Sequence, residues 1–248
     1  RTLNMMAFDL TVIDPNSTIK LAEIGRQLAE ELGDASGIAD SYMMQGIGNT
    51  YLGNYLEALK WLLMANEEFE KIVFTSGVAA SANNIGRIYE QIKEYDQALI
   101  YYKKSAHSFG QLGDLNKQGI ILNNMGYILK LQSHYDSALY YCFQSLNIAR
   151  SNQEINNEVY PLYNIGSIFS KKNETDSANY YLSESLSLAR SIEDKYVLSL
   201  ILIELGELVI ATGDLDSARN IIHEAYELSS QAGLKSEKSV AALHLAHT

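Results

Sequence analysis

The stretch Ser81-Ala-Asn-Asn-Ile-Gly-Arg-Ile-Tyr-Glu-Gln-Ile-Lys-Glu-Tyr-Asp-Gln-Ala-Leu-Ile-Tyr-Tyr102 reads as a helix, a tight turn at Lys93-Glu94 and a second helix. The pattern returns at Leu122-Asn-Asn-Met-Gly-Tyr-Ile-Leu with His134-Tyr-Asp-Ser-Ala-Leu-Tyr-Tyr141, and again at Tyr163-Asn-Ile-Gly-Ser-Ile-Phe with Asp176-Ser-Ala-Asn-Tyr-Tyr181. Working outward, Gly46, Gly86, Gly126, Gly166 and Gly206 follow one another at steps of 40 residues. The small residue of the second helix keeps the same step (Ala58, Ala98, Ala138, Ala178, Ala218), as does the residue that opens it (Tyr55, Tyr95, Tyr135, Thr175, Leu215). A fixed period held without slippage is the signature of a repeat array.

The spacing has a physical cause. Glycine on one helix and alanine on its partner lack the bulk that would hold two axes apart, so the pair crosses closely. Larger residues such as Leu52, Leu59, Leu62, Ile85, Tyr89 and Leu99 fill the space between pairs. A single pair cannot bury its apolar face alone, so the units must stack. The fold class expected is therefore all-α, an α-α superhelix of antiparallel helix pairs. First helices are predicted at about 36–52, 76–92, 116–131, 155–171 and 195–211, and second helices at about 55–70, 95–110, 135–150, 175–190 and 215–231. An opening helix over 2–13 is followed at Asp14-Pro15 by a capped helix over 16–32. The whole chain, 1–248, reads as one array: a divergent partial repeat at 1–33, full repeats at 34–73, 74–113, 114–153, 154–193 and 194–233, and a truncated first helix at 234–248. Starting at Arg1 and stopping inside a helical pattern, the chain reads as a piece of a longer protein.

Gly86/Tyr89, Gly126/Leu129 and Gly166/Phe169, with an alanine twelve residues beyond each glycine, resemble the tetratricopeptide repeat in a lengthened 40-residue form. The family's tryptophan position holds Tyr42, Ala82, Leu122, Leu162 and Leu202, and its closing proline is absent. Those departures imply longer helices and a different pitch.

Composition excludes several classes. The 30 acidic and 19 basic residues give a formal net charge of −11, with no basic face for phosphates beyond Lys103-Lys104 and Lys171-Lys172. Nucleic acid is therefore not an expected partner, and a neutral or basic one is favoured. The most apolar window, from Val197 to Ile210, is broken by Ser199, Glu204 and Glu207, so no membrane contact is expected. The single Cys142 shares its repeat position with Leu62, Tyr102, Leu182 and Ile222 and reads as a small buried hydrophobe. The histidines lie in different units. His244 and His247 have no third ligand nearby, so no metal, cofactor or catalytic residue is assigned and no enzyme is expected. Tyrosines at 55, 95, 102, 135 and 141 fall at helix-packing positions, which favours core over carbohydrate binding.

At about 100° per residue, Ala82, Ile85, Gly86 and Tyr89 share the packed face of their helix. Asn83, Asn84, Arg87 and Gln91 fall on the next arc, which in a stack of pairs lines the concave surface. Two residues before each repeat glycine stand Met44, Asn84, Asn124, Asn164 and Glu204. An amide both donates and accepts, so an asparagine column suits the backbone of an extended peptide. The same groups equally suit bonds between repeats, or simple solvation. The candidate peptide-binding set is Asn83, Asn84, Arg87, Gln91, Asn123, Asn124, Tyr127, Lys130, Tyr163, Asn164 and Lys171. In 40-residue scaffolds that organise the mitotic spindle and in kinesin light chains, asparagines at the matching place grip peptides, and the resemblance implies that role for Asn84, Asn124 and Asn164.

The pattern NN-[IM]-G-x-I…Y-D-x-A-L-x-Y-Y also resembles the sensor regions of Bacteroidetes-type signalling proteins. That resemblance implies an input domain upstream of a histidine kinase or a transcriptional output, with an extracytoplasmic location favoured over a cytoplasmic one. Two alternatives stand beside it. One is a peptide-pheromone-type regulator of a response regulator, for whose N-terminal bundle the present chain has no room. The other is a self-associating module, such as a homodimer, joined through the acidic edge of Glu204, Glu207, Asp214 and Asp216.

Overall fold

The computed structural model describes residue 11 and residues 13–246. Among them are twelve helices and no strand: α1 (Pro15–Leu32), α2 (Ala35–Tyr51), α3 (Tyr55–Lys71), α4 (Thr75–Gln91), α5 (Tyr95–Gln111), α6 (Leu115–Leu131), α7 (Tyr135–Ser151), α8 (Ile155–Lys171), α9 (Thr175–Ser191), α10 (Lys195–Thr212), α11 (Leu215–Gln231) and α12 (Lys235–Leu245). The sequence places α2 to α11 within one residue of these bounds. The helix expected over 2–13 lies almost wholly outside the described residues, and Thr11 and Ile13 stand in turns.

Each helix from α1 to α11 is followed within two residues by one with positive φ, and these residues recur every 20 positions: Gly33, Gly53, Val73, Lys93, Gly113, Ser133, Gln153, Asn173, Glu193, Gly213 and Gly233. The bonding at the end of α3 shows why. Val73 N–H donates to the Glu70 carbonyl and Phe74 N–H to the Phe69 carbonyl, closing the helix with a left-handed residue. Aspartates open several helices: Asp14 accepts from Ser17 N–H, Asp34 from Gly37 N–H, Asp194 from Tyr196 and Val197 N–H, and Asp214 from Ser217 N–H. Asn54, a cap candidate by type, makes no side-chain cap bond and instead donates to Asn49 Oδ1 at 3.4 Å.

The chain forms two compact units, one ending at Ile121 and one beginning at Leu122. In the first, α1 to α5 pack consecutively, and α2 also touches α4, the first helix of the next pair. Ala58, Leu62, Ile85 and Ile88 form a core that is at most 1% exposed. In the second, α7 to α12 pack consecutively, with further contacts of α8 on α10 and of α10 on α12. Its core joins Val159, Leu182, Val197 and Ile201. Each buried aliphatic side chain contributes about 1.5–3 kcal/mol.

The repeat glycines do not face the alanines alone, as the sequence suggested. A β-carbon on Gly86 would lie 2.7 Å from the Tyr102 ring, one on Gly126 2.4 Å from Cys142 Sγ, and one on Gly206 2.4 Å from Ile222 Cγ1. The residue four beyond each alanine is the knob, and the glycine is its hole.

Candidate functional site

In the first unit a cavity of about 290 Å³ is lined by Ile47, Thr50, Tyr51, Tyr55, Asn84, Arg87 and Gln91. Its volume is at the small end of the range for ligand pockets and fits a side chain better than a whole small molecule. The walls come from matching turns of α2 and α4, with Tyr55 added from the start of α3: Ile47 and Arg87 are one period apart, as are Tyr51 and Gln91. Three of the residues singled out from sequence therefore meet in one place. Ile47, Thr50, Tyr51 and Tyr55 were missed, although the repeat register carried the signal for Ile47 and Tyr51.

Asn84 donates its Nδ2 to the Ala80 carbonyl at 3.0 Å, which fixes the amide and leaves Oδ1 with no donor among the described residues. Arg87 and Gln91 are exposed, and neither makes a hydrogen bond or ion pair within the described residues. Glu90, the acid nearest to Arg87 in sequence, is turned to other work. Its carboxylate accepts the Tyr102 hydroxyl at 2.5 Å, and burial holds its pKa above the ordinary 4.5 despite that bond and the Arg87 charge. Asn83, which does not line the pocket, is half-buried, with its Oδ1 enclosed and without a donor among the described residues.

Lys104, a cation elsewhere in the first unit, is engaged. Lys104 is paired with Glu70 and donates to Asn66 Oδ1, while Asn66 donates to Ser81 Oγ at 2.7 Å.

The second unit treats the same repeat positions differently. Asn164 is 3% exposed; its Nδ2 donates to Asn123 Oδ1 at 3.0 Å and its Oδ1 accepts from Lys130 Nζ at 2.9 Å. Lys130 also donates to Ser167 Oγ at 3.3 Å, and Ser167 donates to Glu204 Oε1 at 3.2 Å. The ammonium lies 5.2 Å from the Tyr127 ring centroid and 4.9 Å from that of Tyr163, at cation–π distance. Burial pulls the Lys130 pKa below 10.5, opposed by the Glu204 charge, and burial raises that of Tyr163. Asn123, Tyr127, Lys130, Tyr163 and Asn164 are thus bound to one another. Asn124 is half-buried and Lys171 exposed, both outside this network. Glu204, expected on an acidic edge, is 8% exposed and faces inward because Ser167 binds it.

Cys142 is fully buried, and burial pushes its thiol up to about 12 against the pull of Lys130, so it does not act as a thiolate. His244 Nε2 lies 3.0 Å from Glu207 Oε1, and His247 lies outside the described residues. No helix among the described residues is long and apolar enough to cross a membrane.

Residues 26–106 match the tetratricopeptide repeat family model. No curated protein matches the chain in sequence. Among solved structures, the chain resembles the signal transduction ATPase with a tetratricopeptide repeat sensor from Pyrococcus horikoshii, at 17% identity and a TM-score of 0.80, over 98% of this chain and 41% of that one. It is also similar to BtubC (BKLC) from P. vanneervenii, at 16% identity and a TM-score of 0.73, covering 87% of this chain and 91% of that one. A third likeness is to the Rap conjugation gene regulator of plasmid pLS20 in complex with the Phr* peptide, at 16% identity and a TM-score of 0.70, over 86% and 59% of the two chains. The described residues of each unit thus have the helix-pair packing of the tetratricopeptide fold, and residues 26–106 carry the repeat itself.

Proposed function

We propose that the chain binds an extended peptide or a segment of a partner protein across the α2–α4 face of its first unit. The observation that carries this reading is the pocket itself. It sets a fixed amide with a free acceptor, an unpaired guanidinium and a second amide beside two tyrosines. These groups match the donors and acceptors of a peptide backbone and one side chain. The Rap regulator supports the choice of guest, because that protein of similar fold is in complex with a peptide. The role proposed for Asn84 extends to Arg87 and Gln91, while Asn164 is spent within the chain. Within a larger bacterial signalling protein the chain would serve as the sensor or interaction part, a reading that draws on the sequence resemblance and on the repeat sensor of the P. horikoshii protein. The similarity to the Rap regulator also favours a second reading, a peptide-responsive regulator.

Selection of binders from a random-peptide display library tests the proposal, followed by binding to Asn84→Ala/Gln91→Ala. Selected peptides should lose at least tenfold in affinity, and wild-type amides of α2 and α4 should gain hydrogen-exchange protection on binding. Unchanged affinity in the double variant, with protection elsewhere, would count against this face.

A further inference from the structure

In the second unit, α7 and α9 turn a pair of aromatic rings away from the core. Tyr140 and Tyr180 hold the same repeat position and are 60% and 64% exposed. Each ring is braced edge-on, Tyr140 by Tyr141 with centroids 5.2 Å apart and Tyr180 by Tyr181 at 5.0 Å. Tyr181 in turn stacks on Phe169 at 5.6 Å. Rings held in place beforehand lose little freedom when a guest covers them.

One helical turn before each exposed ring, on the same stripe, stands an aspartate, Asp136 on α7 and Asp176 on α9. The chain itself shows what such a carboxylate takes. Lys172, in the turn after α8, sets its ammonium 3.2 Å from Asp136 and 3.4 Å from Glu174, so the starts of α7 and α9 lie side by side. One repeat further on, both acids are kept, as Asp176 and Asp214, but Thr212 stands in the lysine's place and donates its hydroxyl to the Val209 carbonyl. Asp214 caps α11 by accepting from Ser217 N–H, while the Asp176 carboxylate has no hydrogen bond or ion pair among the described residues. The one basic side chain of each helix is engaged elsewhere, Arg150 with Glu158 and Glu184, and Arg190 with Glu224. The second of the two repeats thus keeps the acids and omits the cation, beside an exposed ring whose face attracts one.

We infer that this face of α7 and α9 docks a basic segment of a partner protein. A lysine or arginine of that segment places its charge at Asp176 and lies across the Tyr180 ring, and the Tyr140 ring receives a second long side chain one repeat away. Charge selects the occupant: the formal −11 of the chain draws a basic partner from a distance and repels a second copy. Because α7 and α9 belong to the second unit, binding there succeeds or fails independently of the α2–α4 pocket.

Fluorescence anisotropy of the whole chain with short degenerate peptide pools, carrying Lys, Arg or Gln at two fixed positions, tests this docking. Wild-type protein should hold the Lys and Arg pools about tenfold more tightly than the Gln pool, and Asp176→Asn and Tyr180→Ser should each cut that preference about threefold. Both side chains are exposed, so the variants should fold as the wild type does, which circular dichroism checks. Glu31→Gln removes an exposed charge from α1 in the first unit and should leave the preference unchanged, as should Asn84→Ala/Gln91→Ala. Equal binding of basic and Gln pools, or a preference that survives either Asp176→Asn or Tyr180→Ser, overturns the docking site. A loss of equal size in Glu31→Gln would trace the preference to net charge, and one in Asn84→Ala/Gln91→Ala to the α2–α4 pocket; either also overturns it.

Discussion

At Val73 the backbone is held at φ +54°, in the left-handed region where a β-branched side chain is least at home. The side chain is 84% exposed and buries almost nothing in return. Val73→Gly should therefore stabilise the protein by about 1 kcal/mol, seen as a higher urea midpoint at unchanged slope. An unchanged or lower midpoint would show that the turn is relaxed as it stands. The turn was legible as a turn, but its strain was not. Glycine marks five of the left-handed positions, whereas Val73, Gln153 and Glu193 give no hint of theirs from residue type. The repeat glycines are the opposite case, because their meaning was plain from spacing and only their partner was misjudged. Gly126→Ala would drive a methyl into Cys142 Sγ and to 3.1 Å from the Ala138 carbonyl, at a cost of about 1–3 kcal/mol. Adding Cys142→Ala should recover only part of that loss, because the carbonyl contact belongs to the backbone. Full recovery would place the whole cost on the sulfur.

Among the helices, the decisive case is the polar chain from Asn123 through Asn164, Lys130 and Ser167 to Glu204, which ties 122–131 of α6 to α8 and α10. From sequence, Asn84, Asn124 and Asn164 were equivalent members of one column. What separates them is Lys130, four residues beyond Gly126, where the matching positions hold Thr50, Glu90, Ser170 and Ile210. A long cationic side chain there reaches the next repeat and consumes its asparagine, and no periodicity argument contains that reach. Lys130→Met keeps the apolar stem but leaves the buried Asn164 Oδ1 without its donor, so it should cost about 1–3 kcal/mol. The pH dependence has a definite sign. A lysine whose folded pKa is lowered binds fewer protons folded than unfolded, so stability rises as pH climbs from the lowered value towards 10.5. Thermal melts on the alkaline side of neutrality, below the tyrosine range that starts near 10, should show that rise in wild type and not in Lys130→Met. Parallel profiles would mean that Lys130 is not buried as a cation.

For the molecule as a whole, the alternation of helix and turn was written in the sequence in steps of 40, local enough to survive without an alignment, whereas the 20-residue step of the left-handed residues became visible only in the structure. The site was less legible, because it depends on which side chains remain unsatisfied after folding, a property of neighbours brought together across repeats. Net charge shows the same division. The value of −11 belongs to the whole surface and favours neutral or basic partners at long range, while the pocket carries a lone cation at short range. The two act on different steps of binding. An acidic guest must first approach a repelling surface, and only then reach Arg87. Raising ionic strength from about 10 mM to about 150 mM shortens the screening length from about 30 Å to about 8 Å, which removes most of the long-range repulsion. Stopped-flow association of peptide pools carrying Asp or Glu at a fixed position should therefore quicken about two- to threefold over that range, and that of pools carrying Asn or Gln there should hardly change. Association of the acidic pools that slows with salt would mean that Arg87 and its surroundings, and not the −11 of the whole chain, set the field the guest meets on approach.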